Sequence, residues 1–313
     1  MSMNKDNWDV VIIGAGPAAL TAAIYTGRAG LKTLILERQV IGGQVANIHE
    51  VENYPGFADG VSGMKLAENL RRQAERFGAK IEFAEVTNLT TDEKGVIIDS
   101  DSGQFRAQAV LIATGSGYRH LNVPGEKELC NKRVHYCATC DGALYKNKEI
   151  ITVGGANSAV QNTIYLAGLA KHITMLIRNT LKADQVLQDR LQKLVDDGKV
   201  DVFKGWHVTR VKPNDEGIIA TATDGKEEKD FAADGMFVFI GVGPNTGFLE
   251  NTAVERDDRH CVITDDNGRT NVERIWACGD VRSGAKRQII TAAGDGAAAA
   301  SDIVKFVRGI KRG

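Results

Sequence analysis

Cysteine is scarce: the five in 313 residues are unevenly spaced, which excludes the disulfide framework of a small secreted domain. Proline is equally scarce, five against 34 glycines, so many tight backbone turns are expected rather than a disordered linker chain. Neither sign of charge prevails. With 39 basic and 40 acidic residues the formal net charge is -1, and no global field draws the chain to nucleic acid or to an anionic membrane surface. Long apolar runs are missing too, since none approaches the roughly 18 residues that span a bilayer. The first apolar run, in MSMNKDNWDVVIIGAG, lacks both the length of a signal-peptide core and a small-residue cleavage site, and reads as a strand. A reducing, cytoplasmic setting is the expectation. There, two neighbouring cysteines more often serve redox or metal chemistry than a permanent crosslink.

Hydrophobic side chains make up 43% of the chain, enough to bury a substantial core, and the length suits about two domains. From Asp9, WDVVIIGAGPAALTAAIYTGRAGLKTLILE reads as strand, glycine turn, helix and strand. Gly14-Ala15-Gly16-Pro17-Ala18-Ala19 is the turn, Gly30 stops the helix, and Glu37 ends the second strand 23 positions after Gly14. G-x-G-x-x-A alone is also the mark of a plain tight turn. Between a strand and a helix, with an acid at this offset, it predicts a dinucleotide site: Gly14, Gly16, Pro17 and Ala18 at the pyrophosphate, Glu37 accepting from ribose hydroxyls.

The pattern repeats. KEIITVGGANSAV again reads as a strand, glycines and a helix, and His172 to Ile177 as the next strand; AVLIATGSG (109–117) and MFVFIGVGP (236–244) are two apolar strands ending in glycine turns. A final strand, in NVERIWACGDV, and a final helix, in TAAGDGAAAASDIVKFVRG, follow the second copy. The expected fold is α/β, with two Rossmann-like nucleotide-binding domains, the second inserted into the first. Residues 1–117 and 248–313 are assigned to the first domain and 118–247 to the second. HYCATCDG (135–142) places Cys137 and Cys140 two residues apart with Asp141 directly after, a spacing compatible with half a metal site, a crosslink, a buried inert pair or a redox dithiol.

Six stretches together, GAGPAALTAAIY, IGGQV followed by EVENYPGF, LIATGS, CATCDG, IWACGDV and RQIITAAGDG, resemble the low-molecular-weight thioredoxin reductases of bacteria and archaea, in order and over nearly the whole chain. The resemblance implies an FAD enzyme, usually a homodimer, that reduces the disulfide of thioredoxin. It assigns to the FAD site the first glycine motif, Glu37, Gln44, Asn53, Gly115 of LIATGS, Asp280, Arg287 and Gln288. It gives Cys140 electron exchange with the flavin, Cys137 the attack on the partner disulfide, and Asp141 the acid and base role. Gly294-Asp295-Gly296 is expected to open the last helix, its positive end facing reduced flavin. Among the other cysteines no second CxxC occurs and the six histidines show no paired ligand spacing, which argues against zinc. A redox pair closes as a disulfide and opens to a mixed disulfide with a partner, as this spacing allows. Cys278 is expected in the core, and Cys130 and Cys261 are expected to be incidental.

The resemblance breaks in the second copy. A third glycine is usual where this chain has Gly154-Gly155-Ala156-Asn157-Ser158-Ala159, and the basic HRRxxxR signature is replaced by the shorter Arg178-Asn179-Thr180-Leu181-Lys182. Arg178 stands 24 positions after Gly154, where an NAD site would carry an acid. The chain therefore resembles the subgroup that lacks NADPH motifs, as ferredoxin-dependent flavin thioredoxin reductases do, and its expected donor is reduced ferredoxin or a similar low-potential carrier. Atypical NAD(P)H use and a flavin oxidase of small dithiols are the alternatives. A flavin-bound scaffold or sensor is a non-enzymatic one, against which the intact CATCDG argues.

Overall fold

A computed structural model describes residues 5–48 and 51–310; Glu50, the first residue of EVENYPGF, lies outside them. The chain divides into two compact units, Met1–Gly117 with Gly243–Gly313, and Tyr118–Val242. The return to the first unit falls at Gly243, five residues before Phe248, and Asn245 is tied there by hydrogen bonds with Thr114 and Gly115. Ser116–Tyr118 and Val242–Pro244 pair where the chain passes between the units.

In the first unit Lys5–Ile13 lies between Thr33–Glu37 and Gly103–Ile112, parallel to both, and Lys80–Phe83 extends the sheet beyond Thr33–Glu37. Val10 to Ile13 are buried, because Val10 and Ile12 pack on the helices of one face and Val11 and Ile13 on strands and loops of the other, so both faces of the strand need apolar residues. Gly103–Ile112 is shared. Its first half pairs antiparallel with Gly95–Ser100, and its end pairs parallel with Ile275–Ala277, so the strand after the insertion rejoins the sheet.

The first helix, Pro17–Arg28, has proline in its first turn and packs its alanines against the last helix, Ile289–Ile310. This last helix begins five residues before Gly294, counting from Ile289, so Gly294-Asp295-Gly296 lies inside it and does not open it. The reason is packing. A side chain at Gly296 would collide with the Ala18 backbone, and the glycine is retained for helix contact rather than for a helix start. Asp295 is engaged there in a two-point ion pair with Arg282, at 2.7 and 3.2 Å.

The second unit repeats the plan. Its parallel sheet runs Val200–Lys204, His172–Ile177, Glu149–Val153, Gly235–Val238, Val134–His135. The helix Asn157–Ala167 follows its glycine turn. A three-stranded antiparallel sheet, His207–Pro213, Ile218–Thr223 and Glu228–Ala233, completes it. No helix of the described residues is long and apolar enough to cross a membrane.

Candidate active site

In the first unit the glycine turn is built for an anion. Gly14 has φ +100° and a Cβ there would stand 2.5 Å from the Ala113 carbonyl oxygen, so the position requires glycine. Gly16 differs. Its backbone is extended, it caps the first helix without a side-chain hydrogen bond, and a Cβ would meet nothing within 4 Å. The first-turn N–H groups therefore open onto free space that only a glycine leaves wholly clear. Gly42 and Gly43 of IGGQV close over this turn: Gly42 N–H donates to the Ala15 carbonyl at 2.8 Å, and a Cβ on Gly43 would lie 3.4 Å from Gly16 Cα. Pro17 and Ala18 begin the helix.

Glu37, at the strand end, accepts from the Ala15 N–H at 2.8 Å on one oxygen and from the Gln39 and Val40 N–H groups at 2.7 and 3.2 Å on the other. A carboxylate offers about four lone pairs, so acceptor capacity remains for a ribose. Gln44 donates through its amide to the Ser116 carbonyl, and Ser116 Oγ lies 3.5 Å from an Asp280 carboxylate oxygen. Burial pushes the Asp280 carboxyl up, opposed by the nearby Arg287 and by Ser116. Ser116 gives this half-buried acid one long hydroxyl contact, and its remaining lone pairs suit the further hydroxyl donors of a polyol. Asn53 donates to Gln288 at 3.2 Å. Arg287 is exposed at φ +57°, immediately before the last helix with Gln288. Gly115, at φ +63°, holds the returning chain by accepting from Asn245 N–H at 3.0 Å. These residues fit the pyrophosphate, ribose and polyol parts of FAD.

The second glycine turn has the same plan with one difference. Gly154, at φ +137°, backs onto the Phe239 carbonyl as Gly14 backs onto Ala113. Ala156, at φ -98° and ψ 177°, caps its helix in the extended conformation that Gly16 has at -75° and -179°. Its methyl group therefore takes the direction that Gly16 leaves open. The following loop is drawn in as well: the Lys182 N–H donates to the Gly155 carbonyl at 2.6 Å. Arg178 and Lys182 are exposed.

Cys137 and Cys140 form a disulfide, Cα to Cα 5.3 Å, on the turn Ala138–Asp141. Cys140 is exposed and Cys137 half-buried. The Cys140 N–H points at Cys137 Sγ, 3.2 Å away, and Thr139 Oγ1 lies 3.4 Å from the same sulfur. Such donors favour the thiolate at Cys137 once the pair is reduced. Behind the turn, His135 is 1% exposed. Its Nδ1 is 3.2 Å from Asp141 Oδ2 but out of line for a well-formed hydrogen bond, and its Nε2 is 2.8 Å from the Tyr145 hydroxyl. Burial lowers the proton affinity of His135, and Asp141 opposes that. Cys278 is buried in the first unit, where burial holds its thiol far up, as a core residue. Cys261 is buried and Cys130 half-buried.

Ser116, His135 and Tyr145 were not anticipated as site residues. Ser116 lies inside LIATGS and His135 two residues before Cys137, so both stand in recognisable motifs. Tyr145 has no sequence signal, because its contact with His135 depends on the turn between them.

Two nucleotide-binding folds, one with a cradle for FAD and one carrying a reversible cysteine pair, define a flavoprotein disulfide oxidoreductase. The chain belongs to the Pyridine nucleotide-disulphide oxidoreductase family, whose pattern it matches over residues 8–296, and within it to the thioredoxin reductases. It is 40% identical over 306 residues to the thioredoxin reductase of Bacillus subtilis, covering 96% of this chain and 95% of that one. Among solved structures it is similar to Lactococcus lactis thioredoxin reductase, with a TM-score of 0.83 and 37% identity over 96% of this chain and 99% of that one. It is likewise similar to the T. acidophilum enzyme, with a TM-score of 0.81 and 33% identity over 96% of this chain and 98% of that one. The enzyme is a flavoprotein oxidoreductase with FAD as its cofactor.

Proposed function

We propose that this enzyme reduces the disulfide of thioredoxin through Cys137 and Cys140 and draws its electrons from a donor other than NADPH, reduced ferredoxin or a comparable low-potential carrier. The observation that carries the donor reading is Ala156, whose methyl group stands over the N-terminus of the second nucleotide helix where the first copy has an open glycine. Bound FAD supplies the electron relay between donor and disulfide. Gly14, Gly16, Pro17, Ala18 and Glu37 would hold its adenosine and pyrophosphate half, and Gln44, Asn53, Gly115, Asp280, Arg287 and Gln288 its flavin half.

In the reduced protein, Cys137 attacks the thioredoxin disulfide as the thiolate, favoured by the Cys140 N–H. One partner sulfur leaves and takes a proton. Cys140 then gives its proton to Asp141 and attacks Cys137 Sγ, which re-forms the Cys137–Cys140 disulfide; the second partner sulfur leaves as a thiolate and, like the first, takes its proton from solvent, so thioredoxin departs as a dithiol. Two electrons pass from the pair to the partner, and Asp141 returns its proton when the pair is reduced again. A homodimer in the cytoplasm belongs to the same proposal, and the mass of the holoenzyme in solution tests its first half.

Anaerobic stopped-flow reduction of the holoenzyme decides the donor. Slow bleaching of the flavin by NADPH and NADH, with fast bleaching by reduced ferredoxin, is expected. Rapid reduction by NADPH with a micromolar apparent dissociation constant would overturn the donor reading and leave the thioredoxin reading intact.

A further inference from the structure

The dithiol turn has a buried histidine behind it that the scheme above does not use. His135 is closed in by the Tyr145 and Phe237 rings, each 5.3 Å from its own ring. The groups facing it are the Asp141 carboxylate, the Tyr145 hydroxyl, the Arg133 guanidinium and the Lys132 carbonyl. Arg133 also faces the Tyr145 hydroxyl, and Asp234 lies near that group. A neutral imidazole has one N–H and one lone pair, so what Nε2 does decides what Nδ1 offers Asp141. Arg133 can only donate, which leaves the Tyr145 oxygen as acceptor toward it and the Tyr145 O–H free to donate to Nε2. The proton of His135 is then on Nδ1, the nitrogen that lies 3.2 Å from Asp141 Oδ2. Of the buried side-chain polar atoms described, Nδ1 is one of three with no well-formed hydrogen bond, and a small movement of Asp141 completes one.

We propose that His135, held in its Nδ1–H tautomer by Tyr145, is a positioning residue that orients the Asp141 carboxylate for proton exchange with the cysteine pair. This rests on the reading of Asp141 as the proton carrier. The histidine keeps its proton throughout. Only Asp141 gains the Cys140 proton when the disulfide forms and gives it back when the disulfide opens, so no further redox partner is needed.

Three variants of the holoenzyme test it: His135→Asn, whose amide N–H can replace Nδ1–H; His135→Leu, which cannot donate; and Asp141→Asn. Dithionite-reduced protein is mixed with oxidised thioredoxin, and the single-turnover rate is followed against pH. His135→Leu is expected to slow the exchange about tenfold, the loss of one charge-assisted hydrogen bond, and His135→Asn to stay within about threefold of the parent. Equal slowing by Asn and Leu, or none by either, overturns the proposal while a slow Asp141→Asn keeps the proton-carrier reading. No slowing in Asp141→Asn overturns that reading itself. Nitrogen-15 spectra of histidine-labelled holoenzyme, assigned with His135→Asn, give an answer that does not depend on His135→Leu folding. The proton is expected on Nδ1, and a resting Nε2–H tautomer refutes the proposal.

Discussion

Gly16→Ala separates what the first glycine turn does for FAD from what it does for the fold. Gly16 has an extended backbone and an added Cβ would meet no atom within 4 Å, so alanine is accommodated without strain. By reducing the freedom of the unfolded chain it should stabilise the apoprotein by about 0.4–1 kcal/mol, a rise of roughly one to three degrees in Tm. The same methyl group stands over the free N–H groups of the helix start. Losing one charge-assisted hydrogen bond to the pyrophosphate, about 1.5–3 kcal/mol, weakens FAD binding about ten- to a hundredfold. Thermal unfolding of the flavin-free protein and fluorescence titration with FAD measure the two effects. Gly14→Ala is the contrast, since its Cβ would press on the Ala113 carbonyl at φ +100° and should damage the fold itself. If Gly16→Ala bound FAD unchanged, or lost stability without flavin, the open space at Gly16 would not be the pyrophosphate site.

Asp280→Asn should raise apoprotein stability at neutral pH and weaken FAD binding. The folded-state proton affinity of Asp280 is raised by burial, so its favourable contribution is present below about pH 3.9 and is lost as the pH rises and the group ionises; melting and titration of the variant check both signs. Cys140→Ser should let Cys137 form a mixed disulfide with thioredoxin that persists and is visible by mass spectrometry, whereas Cys137→Ser should form none. His135 is shifted the other way from a partnered histidine: burial lowers its folded-state value, and the unfolded chain takes the proton first. Stability should therefore fall as the pH drops below about 6.5, by at most about 1.4 kcal/mol per pH unit, and His135→Asn should flatten that slope in urea melts. Ala156→Gly should improve NADPH binding, but by less than tenfold, because Arg178 and Lys182 still lack the paired guanidinium contacts.

How much of this was legible in the sequence depends on whether a residue acts through its local backbone or through distant chain. Gly14 and Gly154 announce themselves because a strand-to-helix turn with positive φ tolerates little else. Glu37 is equally readable, since one crossover helix fixes its distance from the turn and lets it reach the Ala15 N–H. The start of the last helix was misread because Gly296 looks like a helix breaker in sequence, whereas its lack of a side chain serves contact with Ala18 on another helix. Gln44, Ser116 and Asp280 come from segments 72 and 164 residues apart along the chain, and only the assembled fold brings them together.

The duplication gives the strongest physical argument about the donor, because it supplies an internal control. Gly16 and Ala156 cap equivalent helices with nearly the same extended backbone, so the backbone demands glycine at neither position. A residue free to be alanine in both copies is glycine in only one, and that is the copy whose surrounding groups, Glu37, Gln44 and Asp280, fit FAD. On the proposed donor reading, the difference between the copies is one of ligand rather than of folding. It follows that Ala156→Gly should leave apoprotein stability unchanged or slightly lower while altering only dinucleotide binding. A large loss of stability on that substitution would mean that the Ala156 methyl is held for packing, and the donor argument would lose its footing.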